Sequence, residues 1–170
     1  ISAARPPRGA PAESASTAPP GVAGPLPLTR LIGRDHELNQ LSALLSQGKH
    51  RLVTLTGPGG VGKTRLALAV GSALRSHFRD GLWFVDLSAL TDAALVVPAI
   101  AMVLGIPESV EESLVTLLGQ RLRDRRLLLI LDNCEQVLAS APDLGALLAS
   151  TAEVVMLAPS REPLRLPGEP

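Results

Sequence analysis

From Leu28 onward, the apolar residues of the chain follow two alternating patterns. Short runs rich in leucine and valine predict four β-strands, at 51–56, 81–87, 127–131 and 153–158. Apolar residues at helical spacing predict five helices, at 35–47, 63–77, 93–104, 109–124 and 143–150. Ser109 and Glu112 have the spacing of a capping box at the start of the fourth helix.

Strands that alternate with helices in this way predict an α/β fold with a mainly parallel sheet of at least four strands. Two of the strands, 127–131 and 153–158, are almost wholly apolar, as strands covered on both faces must be. The expected architecture is therefore a three-layer sandwich, with helices on both faces of the sheet.

The first 27 residues have a different composition, dominated by alanine, proline, serine and glycine without periodicity. Such a segment cannot bury enough apolar surface to offset the entropy of ordering. We predict a disordered linker at 1–27 and a folded domain at 28–170. Since the chain begins with Ile1 and ends without a terminating pattern, we expect it to be a fragment of a longer protein.

The composition argues against several classes of function and binding partner. Lysine plus arginine and aspartate plus glutamate both total 16, which argues against a broad basic face for nucleic acid and leaves DNA to an attached domain. The single cysteine, Cys134, can form neither an internal disulfide nor a zinc site alone, so a reducing cytoplasm is the expected location. The longest apolar run, 94–106, is shorter than the roughly 20 residues of a membrane-spanning helix, so no membrane association is expected.

The stretch TGPGGVGKT lies between the first predicted strand and the second predicted helix. Gly57, Gly62, Lys63 and Thr64 match the pattern G-x-x-x-x-G-K-[ST] of a phosphate-binding loop. Glycines let the backbone approach a phosphate, the helix start offers free N–H groups, lysine reaches the β- and γ-phosphates, and the threonine hydroxyl binds Mg²⁺. The alternative is a glycine-rich turn. The predicted nucleotide contacts here are Gly57, Pro58, Gly59, Gly60, Val61, Gly62, Lys63, Thr64 and Arg65.

A phosphate-binding loop with Mg²⁺ requires an acidic partner at the end of a buried strand. Asp132 follows five apolar residues in LLLILD, and we expect it to lie beside the strand that precedes the loop. One aspartate suffices, because Mg²⁺ keeps several waters and takes one or two carboxylates. The alternative is an aspartate that caps a helix after the strand.

Residues for hydrolysis are less well defined. Asn133, directly after Asp132, cannot accept a proton, so Glu135 is the nearest candidate general base; the alternative is a glutamate that favours a helix start. Arg161 follows the fourth strand at the ligand-binding edge of the sheet, where its cation could sense a γ-phosphate. The alternative for Arg161 is a surface ion pair with Glu162.

Five segments together resemble a known family: LIGRDHEL, TGPGGVGKTRLAL, GLWFVDLSALTD, LLLILDNCEQVL and SREPLRLPGE. They are similar to the nucleotide-binding domain of STAND-class ATPases, related to NB-ARC domains. The similarity is greatest to modules of large bacterial regulators of the LuxR-like and Streptomyces antibiotic regulatory protein type. The resemblance covers about 28–170 and implies a P-loop NTPase fold that is incomplete at its C-terminus.

The resemblance also implies roles. Ile32, Gly33 and Arg34 would bind the adenine and ribose, and Arg161 matches the sensor arginine of the family. Pro159 departs from the threonine usual in relatives, which puts the hydrogen bonding next to Arg161 in doubt.

The implied function is an ATP/ADP-dependent switch in a transcriptional regulator, with Mg²⁺ as cofactor and slow ATP hydrolysis at most. Effector and sensor domains outside the fragment, or self-association, would complete it. The alternatives are a degenerate scaffold of the same fold and an ordinary P-loop enzyme such as a kinase.

Overall fold

The computed structural model describes residues 21–23, 33–134 and 139–162. Its strands are β1 (Gly21–Ala23), β2 (Leu52–Thr56), β3 (Gly81–Asp86), β4 (Leu127–Asp132) and β5 (Val154–Ser160). Its helices are α1 (Asp35–Ser46), α2 (Lys63–Ala73), α3 (Val96–Val103), α4 (Leu114–Leu122) and α5 (Ala141–Ala149), with a short 3₁₀ turn at Ala93–Leu95. The predicted α/β fold is confirmed.

The four predicted strands and five predicted helices are all present, with shifted ends. The capping box predicted at Ser109 was wrong: α4 begins at Leu114, because the Ser113 hydroxyl accepts a hydrogen bond from the Thr116 N–H at 3.3 Å. Ser109 instead accepts a hydrogen bond from the Glu111 N–H within the preceding loop.

One strand was not predicted. Gly21–Ala23 lies inside the segment interpreted as a linker, yet it pairs in parallel with the start of β3, Gly21 opposite Gly81. Residues 1–20 and 24–32 lie outside the described part of the chain, so the domain boundary at residue 27 stays a prediction.

Both faces of the sheet are covered, which explains the apolar strands. On one face, Leu128 and Ile130 of β4 pack with Leu66 and Val70 of α2 and with Leu45 of α1. On the other face, the alternate β4 residues Leu127, Leu129 and Leu131 pack against residues of α3, α4 and α5. All six positions of β4 are buried, as expected for a parallel strand between two helical layers.

The strand order across the parallel sheet is β1-β3-β4-β5-β2. The expectation that Asp132 would lie beside the strand preceding the glycine-rich loop was therefore wrong, because β5 runs between β2 and β4. The β2–β5 register places Thr56 opposite Ser160. As a result, the loop that leaves β2 and the residues that leave β5 start side by side at the carboxyl edge of the sheet.

Candidate functional site

The glycine-rich loop, residues 57–62, connects the end of β2 to the first residue of α2. Gly60 and Gly62 have φ angles of 79° and 83°, in the left-handed region that favours glycine. Gly62 is also the N-cap of α2 and supplies no side chain to the N–H groups of the first turn. The start of α2 thus keeps the donors and the positive dipole end that suit an anion.

The Lys63 ammonium lies against the loop that precedes it. Its Nζ donates hydrogen bonds to the carbonyl oxygens of Gly57 at 2.7 Å and Pro58 at 3.0 Å. No ion pair within the described residues neutralises this charge. A cation held at the start of α2 by two neutral carbonyls is suited to a phosphate.

Thr64 and Asp132 are in direct contact across the site. The Thr64 hydroxyl lies 2.9 Å from each carboxylate oxygen of Asp132, whose side chain is 8% exposed. The hydroxyl and the carboxylate are both oxygen ligands of the type that Mg²⁺ prefers. Thr64 is the second residue of α2, so the loop at 57–62 carries the chain from the end of β2 past β5 to the end of β4.

Arg161 reaches the same loop. A Cβ atom added to Gly59 would lie 3.4 Å from Arg161 Nη2, so the guanidinium packs beside the loop backbone. The structure therefore brings together the loop, Lys63, Thr64, Asp132 and Arg161. Arg65 follows in the first turn of α2.

Asp86 and Asn133 form a pair that the sequence reasoning missed. Asp86 is the register partner of Asp132 on β3, and its Oδ1 accepts hydrogen bonds from the Ser88 N–H at 2.9 Å and Asn133 Nδ2 at 3.3 Å. These bonds, led by the one from the Ser88 backbone, lower the pKa of Asp86. Asn133 has a φ of 61°, which asparagine tolerates better than most residues. The sequence did contain a signal for this position: the apolar strands β3 and β4 both end in an aspartate, Asp86 and Asp132.

Four other candidates are less defined. Gly33 and Arg34 precede α1, with Arg34 at its N-cap, and no base or ribose pocket around them is assigned. Ile32 and Glu135 lie outside the described residues. The ribose and base contacts and the general base therefore stay predictions. Cys134 is buried and its thiol donates to the Leu131 carbonyl at 3.0 Å.

The described residues contain neither a cluster of metal-ligating side chains nor a membrane-spanning helix. No group of three or more His, Cys, Asp or Glu side chains in these ranges could hold a metal ion. Within the same ranges, no helix is both long and apolar enough to cross a membrane.

Comparison with known proteins identifies the protein family of this chain. The family model described as "AAA domain" matches residues 46–161, from the end of α1 to Arg161. The chain therefore belongs to the AAA domain family, and its fold is that of a P-loop NTPase.

Two of the curated relatives are regulators by name. A Mycobacterium tuberculosis protein named "Putative HTH-type transcriptional regulator" is 45% identical over 130 residues, covering 76% of this chain and 14% of the relative. The regulatory protein AfsR of Streptomyces griseus is 31% identical over 144 residues, covering 74% of this chain and 15% of that protein. The chain thus spans about one seventh of the length of these two regulators.

Solved structures share the fold. Cdc6p from Pyrobaculum aerophilum superimposes with a TM-score of 0.60 at 20% identity, over 79% of this chain and 40% of that one. The Aeropyrum pernix ORC2 protein, solved as ADPNP–ADP complexes, gives 0.59 at 19% identity, over 82% and 43%.

Proposed function

We propose that this chain is the nucleotide-binding switch module of a transcriptional regulator, that it binds ATP and ADP with Mg²⁺, and that it belongs to the STAND subclass. The contact between Thr64 and Asp132, next to the Lys63 ammonium, is the observation that carries the proposal. It unites a cation, a hydroxyl and a buried carboxylate at one helix start. The names of the relatives support the regulatory setting.

The residues present fit a nucleotide phosphate chain. The N–H groups of loop 57–62 and of the first turn of α2 would bind the phosphate oxygens, and Lys63 would exchange its two carbonyl partners for the β- and γ-phosphates. Thr64 and Asp132 would hold Mg²⁺, which neutralises phosphate charge when bound. The hydroxyl of Thr64 donates to the carboxylate, which keeps both groups in place.

A switch requires contacts that differ between two states. Arg161 is the candidate for such a contact, because its guanidinium packs against Gly59 of the loop, within reach of a phosphate bound there. We propose that Arg161 favours the ATP state and that the ADP state lacks this interaction. Pro159, on β5 two residues earlier, leaves no backbone donor at that position.

Turnover is expected to be slow. The Asn133 amide cannot act as a base, and it is turned toward Asp86 by its hydrogen bond. Glu135 remains the proposed base. A module that holds ATP long enough to signal its state would gain from slow hydrolysis.

Two other functions stay open. A degenerate scaffold of the same fold would bind nucleotide poorly, but the oriented Lys63, Thr64 and Asp132 favour a working site. An ordinary P-loop enzyme such as a kinase would need an acceptor site, and none is assigned among the described residues.

The proposed partners are domains outside this chain. An attached DNA-binding domain would contact DNA, as the name of the mycobacterial relative suggests for that protein. Self-association or intramolecular contacts with effector and sensor domains would read the nucleotide state, and the expected location is the cytoplasm.

Calorimetric titration with Mg-ADP and Mg-ATP tests the proposal. Lys63→Ala should abolish nucleotide binding. The control is Lys49→Ala, which removes the other of the two lysines of the chain, at an exposed position, and should leave nucleotide binding unchanged. Equal binding by both variants would refute the phosphate-loop assignment. No binding by the unmodified chain, repeated on a longer chain of the same protein, would favour the scaffold.

A further inference from the structure

We propose that the amino edge of the sheet carries a second anion-binding surface, which binds the phosphate backbone of duplex DNA. This surface, here called the basic edge, consists of Arg75, Arg79, Arg121, Arg123, Arg125 and Arg126. It goes beyond the proposed function, in which DNA is contacted by an attached domain.

The basic edge is built from two segments that precede neighbouring strands. Residues 75–80 lead from α2 into β3, and residues 121–126 lead from the end of α4 into β4. Because β3 and β4 are parallel neighbours, both segments lie at the amino edge. The glycine-rich loop lies at the opposite edge, about 20 Å away for a six-residue strand.

Asp80 fixes the two segments together. Its N–H donates to the Arg126 carbonyl at 3.0 Å, and its Oδ2 accepts from the Arg126 N–H at 2.8 Å. Arg125 Nη1 lies 2.8 Å from Asp80 Oδ1. Arg79 Nη2 also donates to the Asp124 carbonyl at 3.3 Å. The arginines are therefore presented from a rigid double segment rather than from two independent loops.

The two segments carry more positive charge than the acidic side chains in and beside them can neutralise. They hold six arginines against two aspartates, and Glu153 lies 4.0 Å from both Arg79 and Arg126. His77 adds no charge near neutral pH, because burial and then the Arg126 guanidinium lower its pKa. An excess of three positive charges remains at an edge of a chain whose net formal charge is zero.

Three arginines account for that excess. Arg75, Arg121 and Arg123 are exposed, and no hydrogen bond or ion pair engages their side chains in ranges 33–134 and 139–162. Arg121 and Arg123 lie at the end of α4, where a positive charge interacts favourably with the helix dipole. That interaction contributes only about 0.3–1 kcal/mol and uses none of the guanidinium hydrogen-bond donors. Their N–H groups remain available to a ligand.

Duplex DNA is the partner that this arrangement fits best. Guanidinium binds phosphate through two parallel hydrogen bonds, and a duplex offers one charge per roughly 1.7 Å of its axis, denser than an acidic peptide. Negative charge elsewhere on the chain is screened over about 8 Å at physiological salt. The basic edge and the nucleotide site can therefore act independently.

Fluorescence anisotropy with a labelled duplex of mixed sequence, without nucleotide, tests this inference on the 170-residue chain. Binding should have a Kd in the range of about 10⁻⁴ to 10⁻⁶ M. Arg121→Ala with Arg123→Ala should weaken it at least about tenfold and lower the salt slope by about 2. The matched control is Arg121→Lys with Arg123→Lys, which keeps both positive charges.

Several outcomes would overturn the inference. One is the absence of DNA binding at low salt, and another is an equal loss of DNA affinity in the two double variants. A third is binding of polyglutamate as tight as that of DNA, which would indicate an acidic protein partner instead. Arg121→Lys with Arg123→Lys guards against misfolding, since it keeps the charge and should retain most of the affinity. Because the titration contains no nucleotide and the varied arginines lie at the edge opposite the glycine-rich loop, failure of the proposed nucleotide function would leave this result intact.

Discussion

The Thr64 hydroxyl lies 2.9 Å from both carboxylate oxygens of Asp132, although the strands that lead to these residues are not neighbours. β5 runs between β2 and β4, and the contact is made because the loop at 57–62 spans β5 and places the start of α2 at the end of β4. The same intervening strand delivers Arg161 to the loop at Gly59. One topological feature thus brings together the proposed metal-binding pair and the candidate sensor.

Replacing Asp132 should weaken nucleotide binding mainly when Mg²⁺ is present. Asp132→Asn keeps the shape but removes the charge, and the loss of a charge-assisted contact of about 1.5–3 kcal/mol corresponds to roughly 10- to 100-fold in affinity. Calorimetry with Mg²⁺ and with EDTA measures the difference. Equal losses in both conditions would exclude a metal role for Asp132.

Arg161→Ala should reduce the preference for ATP. A guanidinium that contacts only a γ-phosphate contributes nothing to ADP, so ATP affinity should fall about tenfold, as for a charge-assisted hydrogen bond, and ADP affinity should change little. The ratio of the two dissociation constants is the readout. If both nucleotides lose affinity equally, Arg161 binds a shared phosphate or only supports the loop.

Glu135→Gln should slow any ATP turnover while leaving ATP affinity unchanged, since it removes the proposed base but keeps the side-chain size. Phosphate release under single-turnover conditions separates the chemical step from product release. An unaffected rate would mean that Glu135 is not the base that accepts a proton from the attacking water.

Gly71→Ala should destabilise the fold without touching the site. A Cβ at this position would lie 2.7 Å from Leu82 Cδ1 and 3.3 Å from Ile130 Cδ1, so α2 would be forced off the sheet. Overpacking of this kind costs about 1–3 kcal/mol, or a fall in Tm of roughly 2–12 °C. Ser72→Ala, next along the helix and exposed, is the control and should not lower the Tm.

Ionised Asp80 should stabilise the fold, and this contribution to the free energy of unfolding should be lost at acid pH. Partial burial opposes its ionisation, but hydrogen bonds from the Arg126 N–H and the Arg125 guanidinium outweigh it and lower its pKa. A lowered folded-state pKa gives stability that is present above the unfolded value of about 3.9 and is lost as pH falls through the folded value. Urea unfolding should therefore show Asp80→Asn less stable than the unmodified chain at pH 7.

That deficit should shrink below about pH 4, where Asp80 becomes protonated in the unfolded chain while it stays ionised in the folded one. A deficit that stayed constant across this range would mean that packing, and not charge, is the contribution of Asp80.

The sequence by itself determined the element types, the loop and the acidic strand end. Continuous apolar runs and helical periodicity are local patterns, and a strand buried on both faces must be apolar along its whole length, so β4 was readable without coordinates. The glycines and Lys63 were likewise readable, because their chemistry depends on consecutive residues.

Only the tertiary structure decided which of these residues meet. Strand order is set by how long crossovers pack the helices, and local patterns do not contain it. This is why β5 between β2 and β4, the short strand at Gly21–Ala23 and the pair Asp86–Asn133 were missed. The basic edge was hidden for the same reason: a net charge of zero is a sum over the chain, whereas an anion responds to charges that the fold gathers at one edge.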